Sequence, residues 1–287
     1  MSVFFCDSVI DISAKTLKKL GAKIIEMPYS VNGEVKKYKL EENFNYEEFY
    51  SLMKSGASIE AVELTTENYV KAFEKHLKNG EDIIYVHFSR ELSNSMDNLD
   101  SAVSKLRKKY SNQTITLVDT NTISVASGLI VLEALKMHNQ GATHQEIARF
   151  VKNNRKNTTI YFALKNLDFL KETNKISKTR VNGKMLSVRP IAKVNENGDV
   201  EIVENAQGSK KAITGLVNKV KEIGQNVNDY PVYVMHSHNE KGANELKAKL
   251  IEYLGEEAGI IIKEIGPIIG AHCGLDVLGV VFHSKCR

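Results

Sequence analysis

Apolar positions in the first half of the chain follow two periods that alternate. Val3-Phe4-Phe5-Cys6 is a short continuous apolar run, the pattern of a strand buried on both faces. Ser13 then opens a stretch with Leu17 and Leu20 at helical spacing, stopped by Gly21. Ile24-Ile25-Glu26-Met27-Pro28 reads as a second strand. Asn45 with Glu48 resembles a capping box ahead of Phe49 and Leu52. Thr66 is the expected cap of a helix with Tyr69, Val70, Phe73 and Leu77 on one face and Gly80 after it. Asp82–Phe88 is a clear strand, and a helix is expected from the end of the polar Ser89–Ser95 loop to about Tyr110. Thr114–Val118 is a strand ending at Asp119, the apolar helix around Leu129–Leu135 follows, and Thr143 with Glu146 starts another. Strand alternating with helix predicts a mostly parallel sheet flanked by helices, over residues 1–155.

The second half changes character. Thr158–Leu164 is strand-like, Leu167–Leu170 is a short helical turn, and Lys184–Val203 reads as two strands around Asn197-Gly198, a hairpin signal. Helices near Lys211–Ile223 and Glu240–Leu254 lead into strands at Val232–Met235 and Ile260–Ile262, and a last strand falls near Val277–His283. This predicts a second domain, α+β and containing an antiparallel hairpin, over residues 156–287.

Composition narrows the classes. With 42% hydrophobic and 26% charged residues among 287, the chain has an ordinary globular balance. Lysine and arginine exceed aspartate and glutamate by 39 to 35, too small an excess for a nucleic-acid footprint. Three cysteines, Cys6, Cys273 and Cys286, form neither a disulfide framework nor a metal spacing. No apolar run reaches the length of a membrane span, and the expected location is the cytoplasm.

Four polar loops follow strands, where open α/β sheets gather their ligands. They are Cys6-Asp7-Ser8, Ser89–Ser95, Asp119–Thr122 and Gly266–Gly274. In the last, glycines and one proline surround a single imidazole, so His272 can meet an anionic oxygen beside close-lying backbone at Gly270 and Ala271. The competing reading is a histidine satisfied by nearby carbonyls. Ser89, Ser93 and Ser95 offer hydroxyls at a helix start, suited to a carboxylate or phosphate, although simple capping explains Ser93 or Ser95 as well.

Enzyme signals are sparse. The chain has no G-x-G-x-x-G, no phosphate-loop lysine motif and no G-x-S-x-G elbow. Cys273 beside His272 lacks the geometry of a dyad, and His236 with His238 lacks a nearby third metal ligand. A transferase or hydrolase using Asp7, Asp119 and His272 is the alternative of the enzyme class.

The ordered set Cys6-Asp7-Ser8, His87-Phe88-Ser89 through Ser95, Val118-Asp119-Thr120 with Ser124, Phe169-Leu170-Lys171, Gly208–Ala212 and Gly266–Gly274 with Gly279 resembles the DegV family across the chain. The resemblance implies a non-catalytic fatty-acid-binding protein, with no cofactor and no metal. The acyl chain would lie in an apolar ligand tunnel between the two domains, and its carboxylate would meet serine and threonine hydroxyls and the Gly-Ala-His histidine. Some members present the acid to a separate fatty acid kinase. About 14 methylenes at about 0.8 kcal/mol each would supply on the order of 10 kcal/mol before ordering costs. On this basis Ser89, Ser93 and His272 are the expected head-group ligands, with Gly270 and Ala271 beside them.

The chain departs from the family pattern near that head group. Ala61–Thr66 stands where a Thr-Ser-Gln-Pro segment is usual, leaving Thr65 as the substitute donor. Arg90 replaces a usual hydroxyl and is expected to grip the carboxylate through a guanidinium fork. Gln207–Lys211 lacks the arginines that commonly serve kinase docking. A member that has lost acyl binding, its interior plugged by side chains, is a third reading.

Overall fold

The computed structural model describes residues 2–41, 43–165, 188–227 and 229–286. The turn expected at Leu167–Leu170, the Phe169-Leu170-Lys171 piece and the strand start at Lys184 lie outside them.

In chain order, the first elements are β1 (Ser2–Asp7), α1 (Ala14–Lys19), β2 (Lys23–Ile25), β3 (Pro28–Val31), β4 (Glu34–Lys37), α2 (Tyr46–Lys54), β5 (Ile59–Ala61) and α3 (Thr66–Lys78). They are followed by β6 (Asp82–His87), α4 (Ser95–Lys109), β7 (Ile115–Asp119), α5 (Ser124–Asn139) and α6 (His144–Asn154). Strands β1, β2, β6 and β7 form a parallel sheet in the order β2-β1-β6-β7. The mixed α/β class expected from the alternation is what the chain adopts.

Capping works largely as the sequence indicates. The Asn45 side chain accepts from the Glu48 N–H, and Thr143 with Glu146 forms a reciprocal box. Helix α3 is capped one residue earlier than expected. The Thr65 hydroxyl accepts from the Asn68 N–H and the Asn68 side chain accepts from the Thr65 N–H, so Thr66 is already helical.

The antiparallel sheet β4-β3-β5 was not legible in the sequence. Its strands have three or four residues, and all four of Glu34–Lys37 are exposed, so no apolar alternation marks them.

The second half supplies β8 (Thr158–Ala163), β9 (Val188–Val194), β10 (Val200–Gln207), α7 (Gly208–Ile223), β11 (Val232–His236), α8 (Glu240–Leu254), β12 (Ile260–Glu264), α9 (Pro267–Cys273) and β13 (Leu278–His283). The six-stranded sheet runs β10-β9-β8-β13-β11-β12, antiparallel except for β11 with β12. Its two faces have different partners. Tyr161, Ala163, Val234, Leu278, Val280 and Phe282 pack in a core with α7 and α8. Ile160, Phe162, Val194, Met235 and Val281, the alternate positions, join the main core with the parallel sheet. Strand β10 holds both kinds because the ladder slips between Ile202 and Glu204. Val200 and Ile202 therefore face the parallel sheet, whereas Ala206 faces α7.

The hairpin β9–β10 exists, but not as a two-residue Asn-Gly turn. Gly198 has φ +94° while Asn197 is not among the positive-φ residues, so the double left-handed turn is absent. Asn195 organises a longer loop instead, its side chain accepting from the Asn197 and Asp199 N–H groups. The tip seats on the parallel-sheet half: Ser89 Oγ donates to the Gly198 carbonyl at 3.0 Å, and the Asn121 side-chain amide donates to the Glu196 carbonyl.

Candidate functional site

In the order β2-β1-β6-β7 the chain leaves β1 toward one side and later continues with β6 on the other. The carboxyl ends of β1 and β6 therefore flank a topological switch, where a crevice opens. Loops from these ends deliver Val9, Phe88, Leu92 and Ser93, and the loop after β7 delivers Ile123 and Ser124. Facing them is the inner face of the six-stranded sheet.

Two cavities fill the space. The larger, about 70 Å³, lies between Leu92, Ile123 and Ser124 on one side and Ile160, Phe162, Val194, Val200, Met235 and Gly279 on the other. Its walls are almost wholly apolar. The smaller, about 50 Å³ and more polar, is bounded by Val9, Met27, Ala61–Glu63, Ser93 and Ile268. Leu92, Ile123, Ile269 and His272 border both, so the imidazole stands at the junction of an apolar chamber and a polar one.

His272 is carried by a helix, not by the open loop that the glycines suggest. Pro267 occupies the first turn of α9, and Gly274, at φ +73°, follows its last residue. Ile265, Ile268, Ile269 and His272 recur at helical spacing along the cavities. Gly270 lies on the opposite side. A Cβ there would come 2.8 Å from the Tyr50 hydroxyl, which donates to the Ile265 carbonyl at 2.6 Å. This glycine thus serves close packing of α9 on α2, and neither it nor Ala271 lines a cavity. Gly270→Ala is expected to lower stability by about 1–3 kcal/mol through overpacking, read as a shifted denaturant midpoint. An unchanged midpoint would contradict the packing role.

The structure brings Ser93 and His272 to one chamber and disperses the other expected ligands. Ser89 is buried under the hairpin tip with its hydroxyl given to Gly198. Thr65 is exposed and closes its own capping box. Arg90 reaches outward to Asp100, at 2.6 Å, because Asp100 lies on the exposed side of α4. Ser95 accepts from the Leu64 N–H, and Ser93 accepts from the Ser95 N–H. A hydroxyl that accepts one bond still has its proton to donate, so Ser93 keeps a donor for a ligand.

Asp7 and Asp119 are not presented to His272. Asp7 is fully buried and accepts from the Val9 and Phe88 N–H groups and, at 3.4 Å, from the Tyr85 hydroxyl. Asp119 accepts from the Arg90 and Asn121 N–H groups. Burial pushes the Cys273 thiol up to about 12, so it is not a ready nucleophile beside His272. Among the described residues no cluster of three or more His, Cys, Asp or Glu side chains is arranged to hold a metal.

Sequence reasoning passed over Asp11, a buried carboxylate behind the cavity wall. It accepts from the Ser124 hydroxyl at 2.7 Å and from the Gly266 N–H at 3.3 Å, tying the starts of α5 and α9 together. Ser124 lines the apolar chamber and is held at φ +58°, an uncommon conformation for serine. Burial pushes the Asp11 carboxyl up to about 7, helped by Glu41 and opposed by the two hydrogen bonds.

A carboxyl raised in the folded state holds a proton that the unfolded chain has already released, so its contribution to stability falls as pH rises from about 4 to about 7. Asp11→Asn removes this titration. The variant's stability relative to the parent should therefore rise between pH 5 and pH 8, by on the order of 2 kcal/mol, in urea denaturation at both values. A difference independent of pH would contradict it.

Comparison with known proteins follows the same outline. The model of the DegV protein family matches residues 3–285. A DegV domain-containing protein of Clostridium perfringens is 30% identical over 278 residues, 96% of each chain. Among solved structures, a fatty acid binding DegV family protein from Streptococcus agalactiae superposes with a TM-score of 0.84 at 18% identity, covering 99% of both chains. A stearic acid-binding protein from Eubacterium ventriosum superposes with a TM-score of 0.81, also at 18% identity and 99% of both.

Proposed function

Because this chain belongs to the DegV family, we propose that it is a non-catalytic carrier holding one long-chain fatty acid, with the tail in the apolar chamber and the carboxylate in the polar one. The observation that carries this reading is the position of His272, bordering both chambers where a long apolar chain would meet its polar end. Ser93 and His272 supply the head-group donors, since a carboxylate buried without donors would be expelled or protonated. The solved relatives described as binding fatty acids share this fold and support the choice of ligand.

The carrier reading is favoured over a transferase or hydrolase because the groups that chemistry would need are engaged elsewhere. Asp7 and Asp119 spend their oxygens on turns, and the Cys273 thiol holds its proton. The apolar cavity beside His272 also counts against a member that had lost acyl binding, whose interior would be filled there.

Palmitate titrated into delipidated protein, followed calorimetrically, should saturate at about one molecule per chain, since one apolar chamber opens beside one head-group site. No heat and no saturation with either palmitate or oleate would remove the proposal. Among the described residues no helix is long and apolar enough to cross a membrane.

A further inference from the structure

Lysines from four separate elements and loops converge on one groove. It is about 620 Å³ and runs along β2, between the end of α1 and the outer side of α3. Lys18, Lys23, Lys37, Lys39, Lys71 and Lys75 line it, against a single carboxylate, Glu26. The whole chain has an excess of only four positive charges, so the groove gathers more ammonium groups than that total. Lys23, Lys37, Lys39, Lys71 and Lys75 are exposed, and among the described residues none of them forms an ion pair. Phe5, Ile24, Ile25 and Leu64 form an apolar floor.

We propose that this groove docks an extended acidic segment of a partner protein, which adds to the free edge of β2. Strand β2 ends the parallel sheet, and no strand pairs with its outer side among the described residues. An added strand would take main-chain hydrogen bonds there, turning alternate side chains toward the lysines and toward the apolar floor. Lys23 alone would guard this edge against casual pairing. The lysines of β4, its following loop and α3 exceed what such guarding needs.

Shape and chemistry select this occupant. The groove's lysines are spread along its length and face mainly one carboxylate, and a concave surface does not fit a flat bilayer. It contains lysines and no arginine, favouring carboxylates spread along a chain over the forked recognition of a phosphate. The groove adjoins the polar chamber: Ile25, Glu26 and Leu64 face it, while the intervening neighbours Met27, Val62 and Glu63 face the chamber. A segment bound here would lie beside the head-group end of the carrier, although its binding does not depend on the carrier reading.

The test uses the full chain and a fluorescein-labelled octapeptide of alternating glutamate and valine, followed by anisotropy at low salt. Saturable binding is expected, with slowed amide exchange at residues 23–26 and loss of binding as salt rises. Reversing two charges, Lys71→Glu with Lys75→Glu, should weaken the peptide roughly tenfold or more while leaving palmitate uptake unchanged. The proposal is overturned if the peptide does not bind, if the double variant binds it equally, or if exchange at 23–26 is unaltered. It is also overturned if only phosphatidylglycerol vesicles or polyphosphate are retained.

Discussion

Gly279→Leu is expected to cost the chain most of its affinity for palmitate, by roughly two to three orders of magnitude. Gly279 lies on the cavity face of β13, between Phe162 and Met235 on the flanking strands. A Cβ placed there would stand 3.2 Å from the Tyr161 carbonyl oxygen and 3.3 Å from the Met235 Cβ, tight contacts that small shifts relieve. The rest of the leucine side chain projects into the apolar chamber and takes the place of about four to six ligand methylenes. At about 0.8 kcal/mol each, that is about 3–5 kcal/mol of lost tail burial. The free protein should retain its circular dichroism spectrum and melt cooperatively, because a glycine in a strand packs nothing and the new side chain fills existing space. Displacement of a fluorescent fatty acid by palmitate measures the change. Unaltered affinity in a folded variant would place the tail elsewhere.

The second large effect is expected at the head group. His272→Ala should weaken palmitate by about 1.5–3 kcal/mol, the range for a hydrogen bond to a charged group, and His272→Gln should recover part of it. Thr65→Ala and Arg90→Ala give the contrast. Thr65 closes the capping box of α3 and Arg90 pairs with Asp100, so neither change should alter affinity in the same displacement assay. Thr65→Ala should instead lower stability by about 1 kcal/mol through the lost cap. A drop in affinity at Arg90 with none at His272 would reverse the assignment of the head-group side chain.

The contrast between these residues shows how far the sequence reaches. Elements with strong local signals are placed within a residue or two. Asn45 and Thr143 cap the helices their side chains predict, and the apolar run before Asp119 is a strand. The family pattern points to His272, which borders both chambers, and to Ser93, which lines one of them. What stays hidden in the sequence depends on partners far along the chain. Ser89 and Ser93 look alike in one loop, yet only a hairpin tip more than 100 residues away takes the first hydroxyl out of play. Arg90 is a plausible carboxylate ligand until Asp100, ten residues on in α4, draws it outward. The Gly266–Gly274 stretch reads as a loop because its glycines suggest backbone freedom. Gly270 instead makes room for Tyr50, a contact across more than 200 residues.

Native mass spectrometry of the protein purified from cells, without added lipid, tests the carrier account most directly. The expected spectrum contains a species heavier than the bare chain by the mass of one long-chain fatty acid, lost on collisional activation and absent from Gly279→Leu. A chain that emerges bare in repeated preparations, and stays bare after incubation with palmitate or oleate, would contradict it.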